Sequence, residues 1–448
     1  MLFSIVSERV VLPEGVRPAT VVVRDGRIAS IEDYRARPVG VATRDVGEHV
    51  LLPGLVDTHV HINEPGRADW EGFEHATQAA AAGGVTQLVD MPLNSIPATT
   101  SVAGLEAKRA AARGQCWVDV AFWGGVVPGN TAELAPLAHA GVPGFKCFLS
   151  PSGVDEFPHV AESDLREAMP VLASLGLPLL VHAELPALLR PPAPIAGEAT
   201  VDPRRHATWL ATRPAASEVA AIEMLGRLAA ESGTRVHIVH LSSAEGLATI
   251  QRARSAGAKI CVETCPHYLT FADEDIGDGA TAFKCAPPIR SRENRERLWM
   301  ALAAREIDLI ATDHSPAPPA LKRLADGSFL EAWGGIASVQ LGLAAVWTGA
   351  FARGLGIDRV AQWLAAGPAA LAGFCERKGS IAVGADADLV VWDPEAEWIV
   401  DARSLYHRHP VTPYDGMRVR GRVMETMLRG VAIFKEGRIV GEVSGRSS

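Results

Sequence analysis

Six residues of this chain carry side chains suited to holding metal ions and moving protons, and all six fall in or just after short apolar runs. His59 and His61 follow the first such run as Asp57-Thr58-His59-Val60-His61. Alternate side chains of a strand face the same way, so the two imidazoles point together, as two ligands of one ion must. Lys146 lies within Gly-Phe-Lys-Cys-Phe-Leu, His182 ends Leu-Val-His, His240 ends His-Ile-Val-His and Asp313 ends Ile-Ala-Thr-Asp. A single histidine at a strand end is ordinarily a hydrogen-bonded structural residue. Four histidines and an aspartate in the same relative position are hard to explain as independent accidents. Imidazole and carboxylate together are a donor set for zinc, cobalt, manganese or iron. Lys146 is the odd member, because an ammonium repels cations and is costly to bury. Either it pairs with Asp313 as a salt bridge, or it is converted to something anionic.

The elements that must position these residues alternate regularly. Eight apolar, β-branched runs occupy 52–60, 85–91, 118–123, 144–149, 179–183, 236–241, 260–264 and 308–312. Ala- and Leu-rich helical stretches separate them, among them 71–82 (stopped by Gly83-Gly84), 165–175, 218–232 and 292–305. Eight strand–helix units predict a (β/α)8 barrel, whose strand C-termini converge on one mouth. A doubly wound open sheet would want a Gly-rich phosphate loop after the first strand, and none is present. The chain ends read differently: 19–23, the Asp25-Gly26 turn, 27–31, 387–392 and 426–434 are β-rich without helical period. They predict a small β-sandwich built from both termini. The expected domains are therefore 1–50 with 375–448 as sandwich and 51–374 as barrel.

Composition narrows the partners. The 448 residues are 48% hydrophobic and 21% charged, with a net charge of -9, which is globular and lacks the basic excess of a nucleic-acid binder. No run of about 18 apolar residues predicts a membrane span. Residues 1–13 lack the basic start and cleavage site of a signal peptide. Six sparse cysteines suit a reducing cytoplasm, and Cys261 with Cys265 has no second pair to complete a metal site. The partner expected is a small molecule, with no nucleic acid and no membrane.

These motifs resemble the cyclic amidohydrolases, the family of dihydroorotase, hydantoinase/dihydropyrimidinase and allantoinase. Pro53-Gly54-Leu55-Val56-Asp57-Thr58-His59-Val60-His61 is similar to its opening signature, and the stretch from Lys378-Gly379-Ser380 to Asp386-Ala387-Asp388-Leu389-Val390 to its closing one. The resemblance spans essentially the whole chain and implies the same barrel-plus-sandwich fold. It further implies a binuclear centre of two divalent ions, zinc foremost, with cobalt, manganese or iron as alternatives. His59, His61 and Asp313 would hold one ion, His182 and His240 the other, and a carboxylated Lys146 would bridge them. Asp313 would also serve as general base and then acid. A homo-oligomer, tetramer or dimer, is implied as well. A non-catalytic homologue of this fold would tolerate loss of these ligands, and none is lost.

Within the family, several segments discriminate. Dihydroorotases usually place Arg two residues after the second histidine, where this chain has Asn63; a neutral amide cannot clamp a substrate carboxylate. Arg67 could substitute, or it could anchor its loop through Glu64 or Asp69. Hydantoinases usually carry Tyr five residues after the bridging lysine, where this chain has Pro151. The segments 61–67, 70–74, 83–86, 90–95, 145–149, 152–158 and 332–336 resemble the allantoinase branch, which implies opening of the hydantoin ring of allantoin to allantoate. Hydantoinase/dihydropyrimidinase and dihydroorotase remain the alternatives. Asn94, Ser315 and backbone groups near Cys285 suit a neutral, hydrogen-bond-rich ureide. Two departures from the branch are Ala286 before Pro287-Pro288 and the short, Pro-rich segment after His182. Of the other histidines, His267 and His314 are expected to brace the site, His237 to face away from it by strand alternation, and His407 and His409 to lie at the surface.

Overall fold

The computed structural model describes residues 1–195 and 199–448. Eight parallel strands form the expected barrel: Leu55–Val60, Val85–Asp90, Asp119–Phe122, Phe145–Phe148, Leu179–His182, Val236–Ile238, Ile260–Thr264 and Leu309–Ile310. The third strand bends at Trp123 and continues as Gly124–Gly125, which pairs with the fourth. The remaining seam, between eighth and first strands, is closed by side-chain and backbone bonds past their ends. His61 N donates to His314 O at 2.8 Å. The buried Asp57 carboxylate accepts from Thr312 N at 3.2 Å and Thr312 Oγ1 at 2.5 Å. Asp57, part of the opening signature, is thus the clasp that shuts the barrel.

Small residues let the outer helices approach the strands. The helix Phe73–Ala82 buries Phe73, Ala76, Thr77 and four consecutive alanines. It ends at Gly83, where an added Cβ would sit 2.8 Å from Val339 O, and at Gly84, whose φ of +83° is a left-handed value that favours glycine. The strands are almost wholly buried on both faces, which is why they read as continuous apolar runs rather than alternating ones.

Both chain ends build one nine-stranded sheet that folds around its own core as a sandwich. The hairpins of Leu2–Leu12, Gly15–Arg24 and Arg27–Glu32 lie at one side, and Leu389–Ile399, Arg418–Leu428, Val431–Lys435 and Arg438–Ile439 at the other. Val50–Pro53 joins them, parallel to the first strand and antiparallel to Leu389–Ile399, and Ala42–Asp45, also parallel to the first strand, is the ninth. Its core mixes Ile5, Val10, Val21 and Val23 with Leu389, Val391 and Met427. Among the described residues, no helix is long and apolar enough to cross a membrane.

The closing signature pins this sheet to the barrel floor. Lys378 Nζ lies 2.6 Å from Asp119 Oδ2 and 2.6 Å from Asp388 Oδ2, and 3.3 Å from Asp386 Oδ2. Arg429 also binds Asp119 at 2.6 Å. The three carboxylates come within reach of one cation, and Lys378 shares their neutralisation with Arg429 and with Arg377, which pairs with Asp386 at 2.9 Å. Burial pushes Asp119 upward, but Lys378 and Arg429 outweigh it and hold the carboxyl below its ordinary range. Lys378→Met leaves buried carboxylates uncompensated and is expected to cost about 3–5 kcal/mol, read as a lowered denaturant midpoint. An unchanged midpoint would show that the network contributes nothing net.

Candidate metal centre and its surround

At the C-terminal mouth of the barrel, the six residues singled out by type come together. His59 Nε2 is 3.2 Å and His61 Nε2 3.5 Å from Asp313 Oδ1. The His182 and His240 rings meet edge to face, with His182 Nδ1 3.0 Å from His240 Nε2, and the His59 and His240 ring centres are 5.3 Å apart. All but Lys146 line one cavity. Lys146 is fully buried, and its Nζ, 4.8 Å from the Phe148 ring centre, has no hydrogen-bond partner. Burial draws its ammonium down to about 8, against Glu263 and Asp313, which favour the charge. The alternative of a direct salt bridge to Asp313 is not formed, since no carboxylate among the described residues lies within bonding distance of Nζ.

Local backbone explains how the strand ends aim these groups. His240 and Asp313 lie just past their strands and take left-handed φ values of 40° and 47°, and Asn94 takes 67°. Such conformations are unfavourable for residues with a Cβ and cluster where surroundings over-determine them. The expected facing of His237 fails for the same reason. Its strand ends at Ile238, so alternation does not extend to His240. His237 instead reaches a carboxylate that also serves His59.

That carboxylate is Glu263, fully buried in the seventh strand. Oε1 is 2.6 Å from His59 Nδ1 and 3.3 Å from His240 N; Oε2 is 2.8 Å from His237 Nε2. Burial opposes ionisation of Glu263, but His59 and His237 bring it to about 2. Glu184 does the same for His182, accepting at 2.7 Å from Nε2, and is itself held by Arg213. With their outer nitrogens bonded to carboxylates, His59 Nε2 and His182 Nδ1 are left with lone pairs facing the cavity. Burial keeps His61, His182 and His240 neutral, as ligands must be. Neutral imidazoles, an ionised Asp313 and an unpartnered amine fit cations in this place. The two glutamates were missed by reading the sequence. Their signal was a carboxylate inside or at the end of an apolar strand, which must be paired when buried.

His314 is fully buried beside Asp313; its Nδ1 accepts from Ser338 N at 2.9 Å and its Nε2 lies 3.3 Å from Glu71. His407 is a correction: it is buried, not at the surface, because the tail folds back and sets its ring 4.9 Å from that of His314. His409 is half-buried and donates to Asp69 O at 2.7 Å. His267 is buried against Tyr268, grouped with Cys265 and Asp313. Asn94 and Ser315 line the cavity; Asn94 Nδ2 is 3.4 Å from His61 Nδ1, and its Oδ1 has no partner. Cys285 does not line it: its carbonyl accepts from Trp209 Nε1 at 3.0 Å, and its neighbour Ala286 reaches the cavity. Arg67 pairs with Glu156 and donates to Asn94 O at 2.7 Å, so it anchors loops, through partners other than the expected Glu64 or Asp69. The segment after His182 leads to a helix, His206–Thr212, which with Arg213 supplies Trp209 to the cavity wall.

Residues 50–433 match the model of the amidohydrolase family. The allantoinase of Streptomyces avermitilis is 48% identical over 441 residues, covering 98% of this chain and 97% of that one. The allantoinase of Arabidopsis thaliana is 44% identical, covering 99% and 90%. Among solved structures, the L-hydantoinase (dihydropyrimidinase) from Arthrobacter aurescens superposes with a TM-score of 0.91 at 30% identity, covering 100% of this chain and 99% of that chain.

Removing the carboxylate charge that orients His59 has a defined expectation. Glu263→Gln should weaken metal retention by about 10–100-fold in a chelator competition, with the circular dichroism spectrum unchanged. Retention equal to that of the unaltered protein would separate Glu263 from the orientation of His59.

Proposed function

This chain belongs to the amidohydrolase family, and we propose that it opens the hydantoin ring of allantoin to give allantoate. It is a hydrolase acting on cyclic amides. The observation that carries the proposal is the convergence of four histidines, Lys146 and Asp313 at one mouth, in a chain 48% identical to an allantoinase along its length. In this reading His59, His61 and Asp313 would hold one divalent ion and His182 and His240 the other. Zinc is the first candidate, with cobalt, manganese and iron as alternatives. Lys146 would carry a carbamate: its neutral amine would form an N–C bond to carbon dioxide and release a proton, turning a misplaced cation into a two-oxygen anion that suits metal ions. When bound, the ions lower the pKa of a water and polarise the scissile carbonyl.

The chain's own residues do the rest. Asp313, kept ionised by His59 and His61 against the cost of burial, takes the proton of the attacking water at a carboxylate oxygen and returns it to the departing ring nitrogen. Asn94 and Ser315 orient the ureide by hydrogen bonds, with Ala286 and Gly335 completing the wall. A dihydroorotase reading is disfavoured because Asn63 is neutral and Arg67 is already engaged by Glu156 and the Asn94 carbonyl. The hydantoinase reading is disfavoured by Pro151, which stands in the cavity lining where that branch has a tyrosine. A cytoplasmic homo-oligomer, tetramer or dimer, is part of the proposal; six free cysteines support the location.

The purified protein should hold about two equivalents of divalent metal and convert allantoin to allantoate. Asp313→Asn should lower kcat by about 10²–10⁴-fold. Turnover of hydantoin or dihydrouracil, with none of allantoin after metal restoration, would move the chain to the hydantoinase branch.

A further inference from the structure

Two lysines beside the cavity are buried without a carboxylate. Lys284 and Lys322 are 4% and 3% exposed. Lys284 Nζ donates to the carbonyls of Ala332 at 2.5 Å and Leu330 at 3.2 Å, and sits 4.2 Å from the Trp209 ring centre. Lys322 Nζ donates to the carbonyls of Gly335 at 2.7 Å, Trp333 at 3.1 Å and Lys284 at 3.4 Å. Burying an ammonium is costly, and burial draws Lys284 to about 8 and Lys322 to about 7. Both spend their donors on one short stretch of backbone, 330–335, which forms part of the cavity wall.

The effect on that wall is specific. With four of its carbonyls turned to the ammonium groups, the stretch has donors left without partners. Trp333 Nε1 is buried without a partner, and the Gly334 N–H has no bond among the described residues. The indole packs edge to face on Trp70, 4.8 Å away ring to ring. The ammonium groups keep their charge and Lys284 lines the cavity with Arg213, but the lysine N–H bonds are directed at carbonyls, so the donors the stretch itself leaves unpaired are uncharged N–H groups. Such donors serve a carbonyl acceptor.

We propose that Lys284 and Lys322 are positioning residues for substrate recognition, holding segment 330–335 so that Trp333 Nε1 and the Gly334 N–H meet the carbonyl of an uncharged ureido arm on the ring. The identity of that arm rests on the proposed activity; the staple itself does not.

The test compares metal-loaded wild type, Lys322→Met, Lys284→Met and Trp333→Phe by steady-state kinetics on allantoin and by hydrogen–deuterium exchange without substrate. Each variant should raise KM about tenfold, the value of one buried hydrogen bond, with kcat within about threefold and metal content retained. Exchange across 330–336 should quicken in the lysine variants and stay near wild type in Trp333→Phe, which keeps an aromatic ring at the position but is smaller and lacks the indole N–H. An unchanged KM in all three variants, or wild-type exchange in the lysine variants, overturns the proposal. If Lys322→Met does not fold, the other two variants decide it. If the wild type itself leaves allantoin intact, the proposed function falls, and exchange in the lysine variants still decides whether the staple exists.

Discussion

A primary amine with no partner, enclosed by imidazoles in the middle of a barrel, is the constraint on which the rest of this molecule turns. Lys146 has no exposure and no hydrogen bond, yet it sits close enough to His182 and His240 to act on both as a like charge. As an ammonium among metal ligands it would oppose everything around it. Carboxylated, as proposed, it would be an anion that suits both its own burial and the cations those ligands would hold. Short strands, tight seams and left-handed turns at His240 and Asp313 are what it takes to bring ligands from several strands around that one nitrogen.

The ligands are not left to aim themselves. Glu263 ties His59 to His237, and Glu184 ties His182 to Arg213, so each imidazole is fixed at its outer nitrogen and presents the inner one. Arg213 also packs over Trp209, which carries Lys284 on its ring. The cavity wall is therefore mechanically continuous with the bonds that orient His182. On the other side, Glu71, His314 and His407 bind the loop after Asp313 to the chain's tail.

Much of this was legible in the sequence, and the gaps have physical causes. Eight apolar runs gave eight strands because barrel strands are buried on both faces and leave uninterrupted hydrophobic text. The terminal sandwich was legible from turn signals and β-branched runs at both ends. Residue type and strand position marked His59, His61, Lys146, His182, His240 and Asp313 before any geometry was known. What failed were inferences that extend a local rule past its element. Alternation misplaced His237, because the strand stops at Ile238. Surface placement failed for His407, because nothing local announces that a tail will fold back onto a loop nearly a hundred residues earlier. Glu184 and Glu263 went unnoticed although a buried carboxylate always needs a partner. The paired lysines of the cavity wall were invisible, since their partners are backbone carbonyls that no side-chain pattern reveals.

The most direct measurement of the central claim is isotopic. Metal-loaded protein equilibrated with carbon-13 bicarbonate should show a carbamate carbon resonance of one per subunit, absent from Lys146→Ala. A fully active, metal-loaded protein with no such resonance would contradict the account, because Lys146 would then stand among the cations as an ordinary amine.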